Sequence, residues 1–245
     1  MAQIFYMAEV DSTNADLFRR AAEGAPEGTV SVALKQTGGR GRLGRNWFSP
    51  EGGIYFSMLF RPEVDATRYN GSPLVTALSA KEAIMDTAGL KVEIHLPNDL
   101  YCSGKKIGGV LVETMVGGRS LLTLVVAGIG INVNIKKEDF PADLKKIATS
   151  LLIETGKNIS PRNFIIPLRE RLIENFARLK KQGFQDFLPV LRKSCITLGK
   201  KAEVRFYGKS VVGTVLDITS EGAMLFKPED GLEQKIIAPE KVILL

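Results

Sequence analysis

The chain has 245 residues, 44% of them hydrophobic and 24% charged, a balance that excludes wholesale disorder, collagen and coiled coil. Two cysteines and one histidine exclude a disulfide-dense scaffold and a zinc site built only of thiolates, and leave His95 as the sole imidazole for any nucleophilic catalysis. Thirty-three basic residues against 27 acidic ones give a net charge of +6, which suits an anionic ligand but does not by itself point to nucleic acid.

Residues 3–8 read as a strand. A helix follows, with Ser12 or Thr13 as N-cap, Leu17, Phe18, Ala21 and Ala22 as its apolar face, and Gly24 at its end. Residues 29–36 and 53–60 have strand composition; between them TGGRGRLGRNW is too rich in Gly and Arg to be either element. Ser72-Pro73 starts a helix that stops at Gly89, with Ser72 as N-cap. A short strand at 91–96 ends at Pro97. Residues 105–115 and 119–127 suggest a β-hairpin turned by Gly117-Gly118. Ser160-Pro161 starts a second long helix, apolar through Ile165, Leu168, Leu172, Phe176 and Leu179 and ending near Gly183. From about Thr197 every run is short and β-like, with turns at Tyr207-Gly208, Ser220-Glu221-Gly222 and Asp230-Gly231, which predicts a small barrel. The division expected is residues 1–193, an α+β unit with a mixed sheet packed by helices, and residues 194–245, the barrel. The N-terminus lacks a basic n-region and cleavage site, and the longest apolar stretch, Leu121 to Val133, falls short of the roughly 20 residues that span a bilayer. A cytoplasmic protein without a membrane partner is expected.

The segment from Gly38 to Trp47 carries the most chemistry. Gly39-Arg40-Gly41-Arg42-Leu43-Gly44 matches G-x-G-x-x-G, but a dinucleotide loop must open a helix, and here Ser49-Pro50-Glu51-Gly52-Gly53 prevents one. A Walker A reading fails because Arg45-Asn46 stands where Lys and Ser or Thr are required. What remains is a loop whose glycines let backbone N–H groups approach an anion. Arg40, Arg42 and Arg45 offer bidentate contacts to phosphate or carboxylate, and Trp47 offers a flat face to a ring. Three further glycine-flanked polar segments, Pro97-Asn98-Asp99, Gly104 to Glu113 and Gly128 to Asn134, suggest a converging site.

In this combination and order the motifs resemble those of biotin protein ligases, along the whole chain. Asp11-Ser12-Thr13-Asn14 is similar to that family's opening motif, Gln36 through Trp47 to its biotin- and adenylate-binding loop. Pro97 to Leu100, Lys106 to Glu113 and Gly128 to Asn132 match three more. The resemblance implies the class II aminoacyl-tRNA-synthetase-like, biotin-lipoate ligase fold, in the short form without a DNA-binding domain. It implies an ATP-dependent ligase that forms biotinyl-5′-adenylate and passes biotin to a lysine of a biotin carboxyl carrier domain of a biotin-dependent carboxylase.

Carried onto this sequence, Lys106, Arg42 and Arg40 would be catalytic. Biotin would meet Ser12, Thr13, Asn14, Gln36, Gly38, Arg40, Arg42, Lys106 and Gly109. ATP and the adenylate would meet Arg42, Trp47, Asn98, Lys106 and Asn132. Mg²⁺ would travel with ATP, with no protein metal ligands. The partner set implied is the carrier domain, without nucleic acid or membrane, the protein being a monomer or homodimer. The rival readings are a lipoate–protein ligase, a nucleic-acid-binding regulator suggested by the Arg loop, Lys35 and the pI of 9.3, and a degenerate binder of biotin or nucleotide. One departure stands out: His95-Leu96 occupies the place of the family's usual Lys-Trp, replacing a permanent cation by a group mostly neutral at pH 7. The glycines and like charges of the loop predict a segment that orders when an anion arrives between its arginines.

Overall fold

A computed structural model describes residues 2–117 and 121–245. Strands β1 (Ile4–Val10), β2 (Val30–Gln36), β3 (Gly53–Phe60), β4 (Val64–Asp65), β5 (Glu93–His95), β6 (Asp99–Cys102), β7 (Lys105–Val116) and β8 (Leu121–Asn132) make one mixed sheet. Its order is β1-β2-β3-β8-β7-β6-β5, with β4 added beside β8; β1 and β2 run parallel and every other pair antiparallel. The predicted hairpin is β7–β8; its turn, assigned to Gly117-Gly118, lies from residue 118 onward outside the described residues.

Helix α1 (Thr13–Ala22) covers one face, with Leu17 buried against Leu59, Leu124 and Val126. Ser12, not Thr13, is the cap: its Oγ accepts from the Ala15 N–H, and Gly24 follows the helix at φ +89°. Helices α2 (Ser72–Ala88) and α4 (Pro161–Gln182) cover the other face. Gly71, rather than Ser72, caps α2, with Pro73 in its first turn and Gly89 left-handed at its end. All five positions of the predicted apolar stripe of α4 are buried. Strand β3 lies under helices on both sides, so all eight of its residues are buried and GIYFSMLF is apolar nearly throughout rather than alternating with polar residues. Helices α3 (Leu151–Thr155) and α5 (Leu188–Ser194) were not legible in the periodicity, being less than two full turns long.

The tail forms five strands: β9 (Lys201–Phe206), β10 (Lys209–Ile218), β11 (Met224–Pro228), β12 (Gln234–Ile236) and β13 (Lys241–Leu244). They pair antiparallel in the order β12-β11-β10-β9-β13, and among the described residues no ladder joins β12 to β13. The expected barrel is therefore an open sheet. Edge strands of three and four residues offer few backbone groups for closure. The inner face is covered instead by the rest of the molecule: Ala202, Val204, Val215, Ile218, Met224, Phe226 and Val242 belong to the same apolar core as α2, α4 and the large sheet. The connection is tight as well, since Ile196 donates to the carbonyl of Ile94 and Thr197 Oγ1 accepts from the Leu96 N–H. Among the described residues no helix is long and apolar enough to cross a membrane.

Candidate active site

The site lies on the α1 face of the large sheet, where β7 and β8 place Gly109 opposite Gly130 and Leu111 opposite Gly128. Side chains from elsewhere occupy the space that Cβ atoms would take. Asn14 Oδ1 is 2.2 Å from where a Cβ on Gly128 would stand, and Trp47 Nε1 is 2.5 Å from the equivalent point on Gly130. Glycine at these two positions is thus the condition for α1 and the Gly-Arg loop to reach the sheet.

The floor is a bonded array. Gln36 Oε1 accepts from the Thr13 N–H (2.9 Å) and from Thr13 Oγ1 (3.2 Å), while its Nε2 donates to Ser49 Oγ (3.1 Å). Ser57 Oγ lies 2.7 Å from Thr13 Oγ1 and 2.6 Å from Asn14 Oδ1. Asn14 Nδ2 donates to the Leu111 carbonyl (3.2 Å) and to Glu113 Oε2 (2.7 Å). The amide orientations of Gln36 and Asn14 are fixed by these partners, which makes the floor rigid.

Above it stand four cations, each with a partner supplied by the protein. Lys106 Nζ is 2.7 Å from Asp99 Oδ1 and 5.0 Å from the centre of the Trp47 ring. Its backbone is clamped between Ile147 and Thr149, donating to one and accepting from the other. Arg40 Nη2 reaches Glu113 Oε2 at 3.3 Å. Arg42 donates to the main-chain carbonyl of Ala238 (3.1 Å) and, more loosely, to Asn98 Oδ1 (3.5 Å). Arg45 donates to the carbonyl of Glu240 (3.0 Å). The mutual repulsion expected from the sequence is relieved because the three arginines point to three different acceptors. Burial pushes the Arg42 guanidinium below its ordinary value, opposed by nearby Asp99; it starts so high that the group stays charged at neutral pH.

The loop itself is short and tied. The Gly41 N–H donates to the Arg45 carbonyl, Trp47 donates to Gly39, and residues 42–44 make one 3₁₀ turn with Leu43 at φ +58°. Asn98 Nδ2 donates to the Val110 carbonyl at 2.7 Å, binding the segment after β5 to β7. His95 is buried, stacked on Tyr101 at 4.9 Å between ring centres, with Nδ1 2.9 Å from the Leu96 carbonyl. Desolvation lowers its pKa, so the ring is neutral at pH 7.

Most of the residues singled out in the sequence meet at one cavity of about 140 Å³. Ser12, Thr13, Asn14 and Gln36 line one side; Arg40, Arg42, Trp47, Asn98, Lys106 and Gly109 line the other. Two do not. Gly38 ties the loop to the turn between β1 and α1 by donating to the Asp11 carbonyl, outside the cavity. Asn132 is buried, donates to the Thr149 carbonyl (2.9 Å), and lines a second compartment of about 210 Å³ with Phe48, Phe140, Leu144 and Ile147. Trp47, Asn46 and Lys106 border both compartments. Sequence reasoning passed over Asp99 and Glu113 as site residues although both stand in the quoted motifs, and Ser57, which strand composition hides. Glu240 carries no signal at all, because only folding brings it to a loop 195 residues away.

Residues 6–132 match the model of the biotin/lipoate A/B protein ligase family. The bifunctional ligase/repressor BirA of Bacillus spizizenii is 33% identical over 232 residues, covering 94% of this chain and 71% of that protein. The biotin–[acetyl-CoA-carboxylase] ligase of Mycobacterium tuberculosis is 30% identical over 229 residues, 91% of this chain and 82% of the other. Among solved structures, the biotin protein ligase of Aquifex aeolicus in complex with biotin and ATP superposes with a TM-score of 0.83 at 31% identity, covering 100% of both chains.

Proposed function

The chain belongs to the biotin/lipoate A/B protein ligase family, and from that premise we propose how its residues divide the work. The protein is an ATP-dependent biotin–[acetyl-CoA-carboxylase] ligase. The biotin carboxylate attacks the α-phosphorus of ATP, giving biotinyl-5′-adenylate and pyrophosphate. The amine of a lysine on a biotin carboxyl carrier then attacks the mixed anhydride, giving an amide and AMP.

The observation that carries the assignment of roles is the convergence of Lys106, Arg40, Arg42 and Arg45 on one cavity. Two anions must meet there, and the phosphorus gains negative charge as the new bond forms. Preorganised cations are the catalyst this step needs, and no covalent nucleophile is required. Lys106 would bridge the biotin carboxylate and the α-phosphate, exchanging its bond to Asp99 for one to substrate. Arg40 and Arg42 would do the same, leaving Glu113 and a neutral carbonyl for charge-assisted bonds to oxyanions. Thr13 and Gln36 would meet the ureido ring of biotin, with Ser12 and Gly109 forming walls. Asn14 would act by holding the floor, its own polar atoms being engaged by protein. Gly38 would serve the pocket only by anchoring the loop.

The apolar compartment beyond Trp47 would take the nucleobase, with Asn132 on its wall and Asn98 beside the phosphates. Among the described residues no group of three His, Cys, Asp or Glu side chains is placed to hold a metal. Mg²⁺ would travel with ATP, held through the nucleotide's phosphate oxygens and water, where it would neutralise charge. We place the boundary between the catalytic unit and the C-terminal unit at 193/194, and the reaction in the cytoplasm, which the buried free thiols Cys102 and Cys195 suit. The protein would act as a monomer or homodimer without nucleic acid.

A second reading, lipoate activation, is favoured only by the breadth of the family. The deciding experiment is ATP–pyrophosphate exchange with biotin or lipoate as the acid, followed by transfer to a carrier domain. Exchange with biotin and carrier labelling are expected; exchange with lipoate alone would reverse the assignment.

A further inference from the structure

A second cavity, of about 470 Å³, lies on the opposite face of the large sheet, between the end of β3 and helix α4. Its floor is apolar, made by Met58 and Phe60 of β3 and Ile173, Phe176 and Ala177 of α4, with Tyr69 at one side. Arg169 and Lys180 line it from positions three helical turns apart, so the trough follows α4 for about 16 Å at 1.5 Å per residue. Positive charge is concentrated on it. Arg171 and Arg178 of the same helix are paired with Asp86 and Asp186, whereas Arg169, Lys180 and Lys181 have no acidic partner within 4 Å among the described residues. Arg169 Nε is buried without a hydrogen-bond partner there. Among the described residues the one acid lining the cavity, Glu27, accepts from the main-chain N–H of Arg61 at 2.8 Å.

Arg169 lines the trough with no acidic partner among the described residues, and a carboxylate at its guanidinium would supply the charge-assisted acceptor that the protein does not. An apolar trough behind it favours an alkyl chain over a compact ion such as phosphate, and its volume is of the size that holds small molecules. We infer that this trough is a binding site for an amphipathic monocarboxylate of the fatty-acid class, its head on Arg169 and its chain along Ile173, Phe176 and Met58. The site is separate from the biotin and ATP compartments, and the inference does not depend on the roles assigned there.

Decanoate is the probe, titrated calorimetrically into the full-length protein with and without saturating biotin; 1-decanol and inorganic phosphate are the controls. One decanoate per chain is expected, unaffected by biotin, with decanol at least about tenfold weaker and phosphate without measurable binding. Arg169→Ala and Ala177→Phe, the second filling the trough, should each weaken decanoate at least about tenfold while leaving biotin–ATP exchange intact, which also shows that the variants fold. Competition by biotin, equal affinity in both variants, or absence of saturable binding would overturn the site. Binding of Arg169-dependent character to anionic phospholipid vesicles without binding of free decanoate would overturn it too, and would assign the face to a membrane surface.

Discussion

Lys106 is a single point at which charge, geometry and rigidity coincide. It stands on β7, its backbone is held from both sides by residues 147 and 149, and its side chain, only 29% exposed, ends between Asp99 and Trp47. Lys106→Ala is expected to lower biotin-dependent ATP–pyrophosphate exchange by about 10²–10³, roughly 3–4 kcal/mol, while the urea midpoint barely moves. Lys105, next along the strand and facing the other way, is the control: its Ala variant should exchange at near the wild-type rate. Near wild-type turnover in Lys106→Ala would remove it from the chemistry. His95 gives a cleaner physical readout because it is the only histidine. Burial lowers its pKa below the ordinary 6.5, the backbone contact to Leu96 and nearby Asp99 opposing in part. The unfolded chain then binds the extra proton first, so this contribution to stability is fully present above 6.5 and declines as pH falls toward the folded value. The imidazole resonances in an NMR titration should show a midpoint below 6.5; a midpoint above it would contradict the buried, neutral ring. His95 stacks on Tyr101, and its buried, neutral ring adds no charge there at pH 7.

At the scale of elements, the Gly-Arg loop and the β7–β8 pair were built for each other. Trp47 lies across Gly130 and near Gly109, so Gly130→Ala must push the indole away. That overpacking is expected to cost about 1–3 kcal/mol and to shift the fluorescence of the one tryptophan, which reports on this contact directly. An unchanged emission spectrum would mean that the ring is seated elsewhere in solution. The loop is held by arginine contacts to Glu113, Ala238 and Glu240, and these are also the bonds that substrate anions would replace. Biotin with ATP should slow trypsin at Arg40, Arg42 and Arg45 relative to the free protein, because charge-assisted bonds to substrate anions are stronger than the bonds of Arg42 and Arg45 to neutral carbonyls. Ordering the loop over the adenylate would keep water from the anhydride until the carrier lysine arrives. Equal cutting with adenylate bound would make the loop a static wall.

Across the whole molecule the two sheets share one apolar core, and the loop's two longest-range contacts end on main-chain carbonyls just before β13. Arg192 of α5 adds a two-bond ion pair to Asp217 of β10, at 2.8 and 2.7 Å. A continuous core predicts a single cooperative transition, although the sequence suggests two units. Urea unfolding followed by Trp47 fluorescence, which sees the active site, and by far-ultraviolet circular dichroism, which sees both sheets, should give coincident curves. Separate midpoints would show that the C-terminal sheet unfolds on its own.

Local chemistry was legible along the chain wherever a residue type has few other reasons to occur. The capping Ser12, the left-handed Gly89, the apolar stripe of α4 and the Gly-Arg loop all announce themselves in this way. Ten of the twelve residues proposed for the site line one cavity for that reason. The remaining features depend on distance in space, which spacing in sequence does not encode. Gly38 and Asn132 carry the same motif signal as their neighbours, and only the fold turns one toward Asp11 and the other toward Thr149. Ser57 joins the floor because β3 passes beneath α1. The tail's strands are mostly short, which fits a barrel and an open sheet equally; burial of one face in the same core as the large sheet and its helices decided the outcome. Glu240 reaches the active site because a hydrogen bond needs two groups within about 3 Å, and nothing but tertiary packing brings its carbonyl to Arg45.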